Sequence, residues 1–256
     1  MPSDSAYLSV IVPCYNESEN LQRGVLEEMA GYLDTRDYGY EVIISDDGSR
    51  DESQEIVRQR LQDKPHFRLL ENEHGGKPHA VWQGIKAAKA EIILITDMDQ
   101  STPISELDQL LPLFGRGYDV VIGSRGAERE GFPLYRRMGS DVFRFFRRLF
   151  LLREIVDTQC GFKAMRTAVA REVFPRLEVI REPVSVKGWR VTAFDVELLF
   201  LAQRAGYEIA EVEVRWADRD VSREKERSYL AESKEMAMQV LRVKFNQWRG
   251  FYARND

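Results

Sequence analysis

Two aspartates one residue apart, Asp97 and Asp99, directly follow the apolar run Glu91-Ile-Ile-Leu-Ile-Thr. If strand alternation continues through them, both carboxylates point to one side and converge on one cation. Hard divalent ions such as Mg2+ or Mn2+ take oxygen ligands, commonly one or two carboxylates plus substrate phosphates. A pair of this kind also arises as a helix cap or a solvated loop, so its weight comes from its surroundings. Asp46-Asp47-Gly48-Ser49 closes a second apolar run. An ionised carboxylate there accepts hydrogen bonds only, which suits the imide N–H of uracil or the ring N–H and amine of guanine. Turn chemistry alone also favours Asp and Gly at such a place. Gly75-Gly76-Lys77 is the third segment. Its glycines allow close backbone approach to a ligand, and Lys77 adds a point charge for phosphate. The spacing is not that of a phosphate-binding P-loop.

These groups need a scaffold that brings them together. Short apolar runs at Tyr7–Pro13, Tyr40–Asp46, Phe67–Glu71 and Glu91–Asp97 read as strands. Helical spacing at Glu17–Leu33, Glu52–Leu61 and Ala80–Ala88 falls between them. Strands alternating with helices of this length imply an α/β, doubly wound, mostly parallel sheet flanked by helices. In such sheets ligands bind beyond the carboxyl ends of the strands. Both acidic segments finish strands, so they should meet at one site. Further along, Asp119–Gly123 and Ile209–Trp216 read as strands and Phe194–Ala205 as a helix. We expect residues 1–223 to form the main domain. Residues 224–256 then form a C-terminal helical extension that packs on the domain, dimerises or touches a membrane.

The chain has 256 residues, 43% hydrophobic and 31% charged, which fits a soluble globular protein with a substantial core. Its formal net charge of −5 argues against nucleic acid as a partner. The two cysteines, Cys14 and Cys160, are far apart and lack metal-like spacing. The first residues lack a basic start and an apolar core, and no apolar run reaches the roughly 18 residues of a membrane span. The expected compartment is the cytoplasm, with or without attachment to the inner face of the membrane.

One segment departs from the acidic average. Between Phe132 and Arg153 stand Arg136, Arg137, Arg144, Arg147, Arg148 and Arg153, against the single acid Asp141. Phe143, Phe146, Leu149 and Phe150 recur at helical spacing. A basic amphipathic helix suits an anionic bilayer surface, and arginine forks suit phosphate oxygens. Near such a surface each basic residue contributes about 1 kcal/mol. A core-packing helix with a solvated basic face has the same pattern.

The order and spacing of four segments resemble the family 2 glycosyltransferases of GT-A (Rossmann-like) fold. They are Val10-Ile-Val-Pro-Cys-Tyr-Asn-Glu17, Ser45–Ser49, Asn72–Lys77 and Asp97-Met-Asp99. In the second half, Gly123-Ser-Arg125, Arg136-Arg137 with Ser140, Asp157–Lys163 and Ala193–Leu199 are similar to the polyprenyl-phosphate sugar synthases, most of all to the dolichyl-phosphate β-glucosyltransferases. The resemblance covers about Leu8 to Trp216.

The resemblance implies an inverting transfer of glucose from UDP-glucose to a polyprenyl phosphate. By position, it implies that Pro13, Tyr15, Glu17 and Asp47 contact the nucleotide. Asp97 and Asp99 would position Mg2+ or Mn2+ and the diphosphate, with Lys77 and Arg223 as further donor contacts. Arg125, Arg136 or Arg137, and Ser140 would hold the acceptor phosphate. The related mannosyl synthases carry Gln two residues after the second Asp, where this chain has Ser101. Mannosyl or N-acetylglucosaminyl transfer to the same lipid remains an alternative reading. A lipid phosphate with a second pKa of about 6 is already a nucleophile near neutrality. A sugar-hydroxyl acceptor would instead need a general base, with Asp195 as first candidate and Asp157 as second. Asp195 also stands where a helix N-cap would. A third reading is a nucleotide-sugar-binding module without turnover.

Overall fold

The central strands are nearly continuous apolar runs because both of their faces are covered. Val10, Ile11 and Val12 of β1 (Leu8–Cys14) are all fully buried. Ile11 faces one core, with Ile43 and Ile93, while Val10 and Val12 face the other, with Val42, Ile44 and Leu94. This is the two-residue alternation of a strand between two layers. The structure is a computed structural model that describes residues 6–126, 155–182, 194–221, 238 and 241–252.

The remaining strands are β2 (Tyr40–Asp46), β3 (Phe67–Glu71), β4 (Ile92–Ile95), β5 (Val120–Ser124), β6 (Lys163–Arg166) and β7 (Ile209–Glu213). They form one sheet in the order β3-β2-β1-β4-β6-β5-β7. β1 lies parallel to β2 and β4, pairing Leu8 with Tyr40 and with Ile92. β2 lies parallel to β3, and β5 to β7. β6 runs antiparallel to both of its neighbours, β4 and β5. The sheet is thus mostly parallel, as expected.

Helices α1 (Ser18–Gln22), α2 (Val25–Leu33), α3 (Ser53–Arg60), α4 (Lys77–Ala87), α5 (Leu107–Phe114), α6 (Thr167–Val173), α7 (Glu178–Arg181) and α8 (Phe194–Arg204) cover the sheet. The single helix expected over 17–33 is two, because Gly24 takes φ +80° and breaks the ladder. β6 was not expected at all. Residues 241–248 are helical, and Val243 and Tyr252 join the same buried cluster as α8. No helix among the described residues is long and apolar enough to cross a membrane.

Candidate active site

β1, β2 and β4 end at one edge of the sheet, and the loops leaving them carry the polar side chains. The β4 loop corrects one expectation. β4 stops at Ile95, so Asp97 and Asp99 lie in the turn beyond it, not on an alternating strand. Gln100 in that turn has φ +51°, and Asn16 in the β1 loop has φ +53°. Both are left-handed conformations, uncommon for residues other than glycine. Strain of this kind clusters at functional loops.

Asp97 is held from two sides. The Lys77 Nζ at the start of α4 lies 2.5 Å from Asp97 Oδ1. A Cβ on Gly161 would come within 1.9 Å of Asp97 Oδ2, so a larger residue there would push the Asp97 carboxylate from its place. Asp99 accepts a 2.8 Å hydrogen bond from the Ser101 N–H. Burial, and then the negative charge of Asp97, raise the Asp99 pKa above the usual carboxylate value. Loss of water around Lys77 opposes its charge, but Asp97, Asp195 and Asp99 together lift its ammonium above the ordinary lysine range.

Asp195, in the first turn of α8, faces Lys163 of β6, with Nζ and Oδ1 2.8 Å apart. Lys163 is buried, and its ammonium also donates to the Cys160 carbonyl. Asp195 is therefore an ion-pair partner as well as a neighbour of Lys77. The β6 strand, which the sequence did not announce, is what brings Lys163 and Gly161 beside the β4 loop.

The β2 loop uses its acids differently. Asp47 accepts hydrogen bonds of 2.8 Å from the N–H groups of both Gly75 and Gly76. Its Oδ2 also lies 2.9 Å from His74 Nδ1. The glycine loop is thus tied down by Asp47. Tyr15, from the β1 loop, stacks on the His74 ring at 4.5 Å with the planes 17° apart. Asp46 is fully buried and fixes its own turn through the Ser49 N–H and the Gln54 amide. Pro13 sits at the end of β1, and Glu17 accepts from the buried Asn20 amide at 2.6 Å.

Arg125 leaves β5 and meets Asp157. Its Nε donates to Oδ2 at 2.7 Å, its Nη2 to Oδ1 at 2.9 Å, and its backbone N–H to Oδ2 at 3.1 Å. Burial opposes the Asp157 charge, yet the Arg125 guanidinium holds that carboxyl well below the usual range. A carboxylate so strongly held is a weak base. The fork leaves the Nη1 amine of Arg125, and Trp216 stacks on the guanidinium at 5.7 Å. Arg136, Arg137, Ser140 and Arg223 lie outside the described residues, as does the basic aromatic segment around them.

Among the described residues three buried polar atoms at this end of the sheet have no protein hydrogen-bond partner: His79 Nδ1 in the first turn of α4, Gln100 Oε1 and Gln159 Nε2. Such atoms are rare in folded proteins and ask for a ligand or water. Only the Asp157–Lys163 motif hinted at Gln159. Nothing in the spacing of residues singles out Gln100.

Two adjacent carboxylates fit a divalent ion that completes its shell on substrate phosphate. Burial and the neighbouring Asp97 raise the Asp99 pKa, so a bound cation would favour its charged form. Among the described residues no group of three or more His, Cys, Asp or Glu side chains gathers into a self-sufficient metal site.

The order of strands, the single reversed strand and the acidic turn after β4 define a GT-A glycosyltransferase. Residues 9–174 match the family described as Glycosyl transferase family 2, and the chain belongs to that family. A dolichyl-phosphate β-glucosyltransferase of Dictyostelium discoideum is 32% identical over 98% of this chain and 78% of its own. The enzyme of the same name from Drosophila melanogaster is 35% identical over 86% and 70%, and that of Homo sapiens 33% over 84% and 69%. Among solved structures, glucosyl-3-phosphoglycerate synthase of Mycobacterium tuberculosis, bound to Mn2+, UDP and glucosyl-3-phosphoglycerate, aligns with a TM-score of 0.64 at 17% identity, covering 94% of this chain and 80% of its own. A mannosyltransferase of Pyrobaculum calidifontis, with GDP-mannose and Mn2+, aligns with a TM-score of 0.61 at 19% identity, covering 97% and 66%. At these identities the structural likeness concerns the fold.

Proposed function

We propose that this chain transfers glucose from UDP-glucose to the phosphate of a dolichyl-type polyprenol, with inversion at the anomeric carbon. The carrying observation is the meeting of Lys77, Asp97, Asp99 and Asp195 at one end of the sheet, in a chain about one-third identical to dolichyl-phosphate β-glucosyltransferases.

Asp97 and Asp99 would hold Mg2+ or Mn2+ against the donor diphosphate. When bound, such an ion supplies charge stabilisation to the departing nucleoside diphosphate. Lys77 adds a positive charge to the same leaving group. Tyr15, with His74 beneath it, offers an aromatic platform for the base, and Pro13, Glu17 and Asp47 shape the pocket around it. Arg223 is a further donor contact. Arg125, locked in direction by Asp157, turns its remaining amine towards the acceptor phosphate, joined by Arg136, Arg137 and Ser140. Alignment of that phosphate with the anomeric carbon is the main catalytic task, since the acceptor arrives ionised.

A sugar-hydroxyl acceptor fits less well. Asp195 would have to act as base, yet it is paired with the ammonium of Lys163 at 2.8 Å. Asp157 is committed to Arg125. A lipid acceptor places the working enzyme at a membrane surface.

Incubation with radiolabelled UDP-glucose, Mn2+ and dolichyl phosphate tests the reading. Label should pass into the lipid extract, and should stop with chelator or with Asp97→Asn. Absence of lipid product across UDP and GDP sugars would sink it. Label in a water-soluble oligosaccharide would move the assignment to hydroxyl transfer.

A further inference from the structure

The helix at 241–248 has two unlike faces. Val243, Asn246 and the following Tyr252 are buried. Asn246 donates to Glu178 at 2.8 Å, Arg242 forks onto the same carboxylate, and Tyr252 donates to Glu197 at 2.7 Å. These bonds fix how the helix is turned about its axis. The other face carries Leu241, Phe245 and Trp248, exposed by 65, 49 and 84%. At about 100° per residue these three fall within an arc of about 60°, a single stripe. Lone exposed apolar residues are ordinary, but a contiguous stripe that includes a nearly free tryptophan marks a contact surface.

The charge around the stripe selects its partner. From Met236 to Asn255 the sequence carries Arg242, Lys244, Arg249 and Arg254 and no acid, in a chain of net charge −5. Lys244 borders one side of the stripe. Arg249 borders the other, with its guanidinium 5.3 Å from the Phe245 ring. Trp and Phe on one face with a basic rim is the composition of helices that lie in a bilayer interface. A second copy of the chain suits it poorly. A two-fold pair presents the same patch from both sides, which would set basic rim against basic rim.

We propose that this stripe docks the protein on an anionic bilayer, with the C-terminal helix lying in the membrane interface. Trp248, Phe245 and Leu241 enter the acyl boundary, and Lys244 and Arg249 meet lipid phosphates. Because Glu178 and Glu197 clamp the inner face of the helix to α7 and α8, docking sets the orientation of the domain whose α8 carries Asp195 in its first turn. The proposal does not depend on which sugar or acceptor the site uses.

The test is co-sedimentation of the full chain with vesicles of phosphatidylcholine alone and of phosphatidylcholine with phosphatidylserine, neither containing polyprenol. The chain should bind the anionic vesicles, and more weakly as salt rises. The Phe245→Glu, Trp248→Glu double variant should bind at least tenfold more weakly with an unchanged circular dichroism spectrum. Lys244→Glu with Arg249→Glu should lose binding to anionic vesicles several-fold. Equal binding by the aromatic variant, or no vesicle binding by the parent chain, would overturn the proposal. So would a dimer in sedimentation velocity that the aromatic variant abolishes, since the stripe would then join two copies. Turnover on a detergent-dispersed short polyprenyl phosphate reads the catalytic proposal separately, and its failure would leave the vesicle result standing.

Discussion

The ammonium of Lys77 lies 2.5 Å from the carboxylate of Asp97, so the acid best placed to face a metal already faces a cation. Both cannot be held tightly by the same oxygen. Lys77 is better placed on the donor diphosphate once that ligand enters, where it neutralises the leaving group. Two opposite effects then follow from Lys77→Met. Mn2+ should bind the chain alone several-fold more tightly, because a competing positive charge is gone. At the same time kcat/KM for the donor should fall about 100-fold, the scale of losing one stabilising group at a transition state. Calorimetry with Mn2+ and steady-state kinetics read the two arms. Parallel losses in both would assign Lys77 a simple structural role.

Asp99 gives the site a pH signature. Burial and the adjacent Asp97 raise its pKa, so it keeps a proton to higher pH than an ordinary carboxylate. A cation must displace that proton, and its affinity therefore falls as pH drops. Titration of Mn2+ in the presence of UDP should show weakening that sets in above the normal carboxylate range, with proton release on binding. Asp97→Asn removes the nearby negative charge and should move that weakening to lower pH in whatever binding remains.

Gly161 offers a test of geometry that leaves charge alone. A methyl group there would meet Asp97 Oδ2 at 1.9 Å, an impossible contact that only movement of Asp97 or of the loop relieves. Gly161→Ala should cost about 100-fold in kcat/KM, the scale expected for a misplacement of about 1 Å. Thermal unfolding should change little by comparison, because Asp97 is part-exposed. A large drop in Tm with intact kinetics would contradict this account.

The sequence revealed more of the scaffold than of the site's wiring. β2 and β3 fall where the sequence places them: β2 is buried at all but Glu41 around its apolar centre, and β3 at the sheet edge is a short run that buries Phe67. β6 escaped because Lys163-Ala-Met-Arg166 is four residues long and begins with a lysine. That lysine is buried only because Asp195, 32 positions away, pairs with it. That the acids at 46, 47, 97 and 99 stand in loops leaving the same side of the sheet was legible, since parallel strands end together. Their division of labour was not. That Asp47 ties down Gly75 and Gly76 while Asp157 forks Arg125 depends on loop contacts across 28 and 32 positions. No periodicity records such contacts.

The Lys163–Asp195 pair separates a structural role from a catalytic one. Asp195→Asn strands a buried ammonium, and breaking a buried pair typically costs about 3 kcal/mol or more. Adding Lys163→Met should recover most of that loss, because an unpaired charge is no longer buried. If the acceptor is a phosphate, turnover of the double variant should also return to within about tenfold of the parent, as no base is needed. Restored Tm with turnover still down by about 1000-fold would instead make Asp195 the base and the acceptor a hydroxyl.

Glu197 makes the docking of the C-terminal helix depend on pH. It is buried where it accepts from Tyr252 and from the Glu178 N–H, and burial lifts its pKa from 4.5 to about 7. The folded state thus favours the protonated acid. Its contribution is fully present below the unfolded value of 4.5 and is lost as pH rises through about 7. Glu197→Gln mimics the protonated form and keeps an oxygen for the Tyr252 hydroxyl. It should leave stability nearly unchanged at the acid end and raise it by roughly 3 kcal/mol once pH exceeds the folded value, at 1.36 kcal/mol per pKa unit. Chemical denaturation across that range checks the slope. Hydrogen exchange at Val243 and Asn246 locates it, since ionised Glu197 should loosen the helix first. A pH-independent gain for the Gln variant would mean that Glu197 is already neutralised by its neighbours in the folded chain.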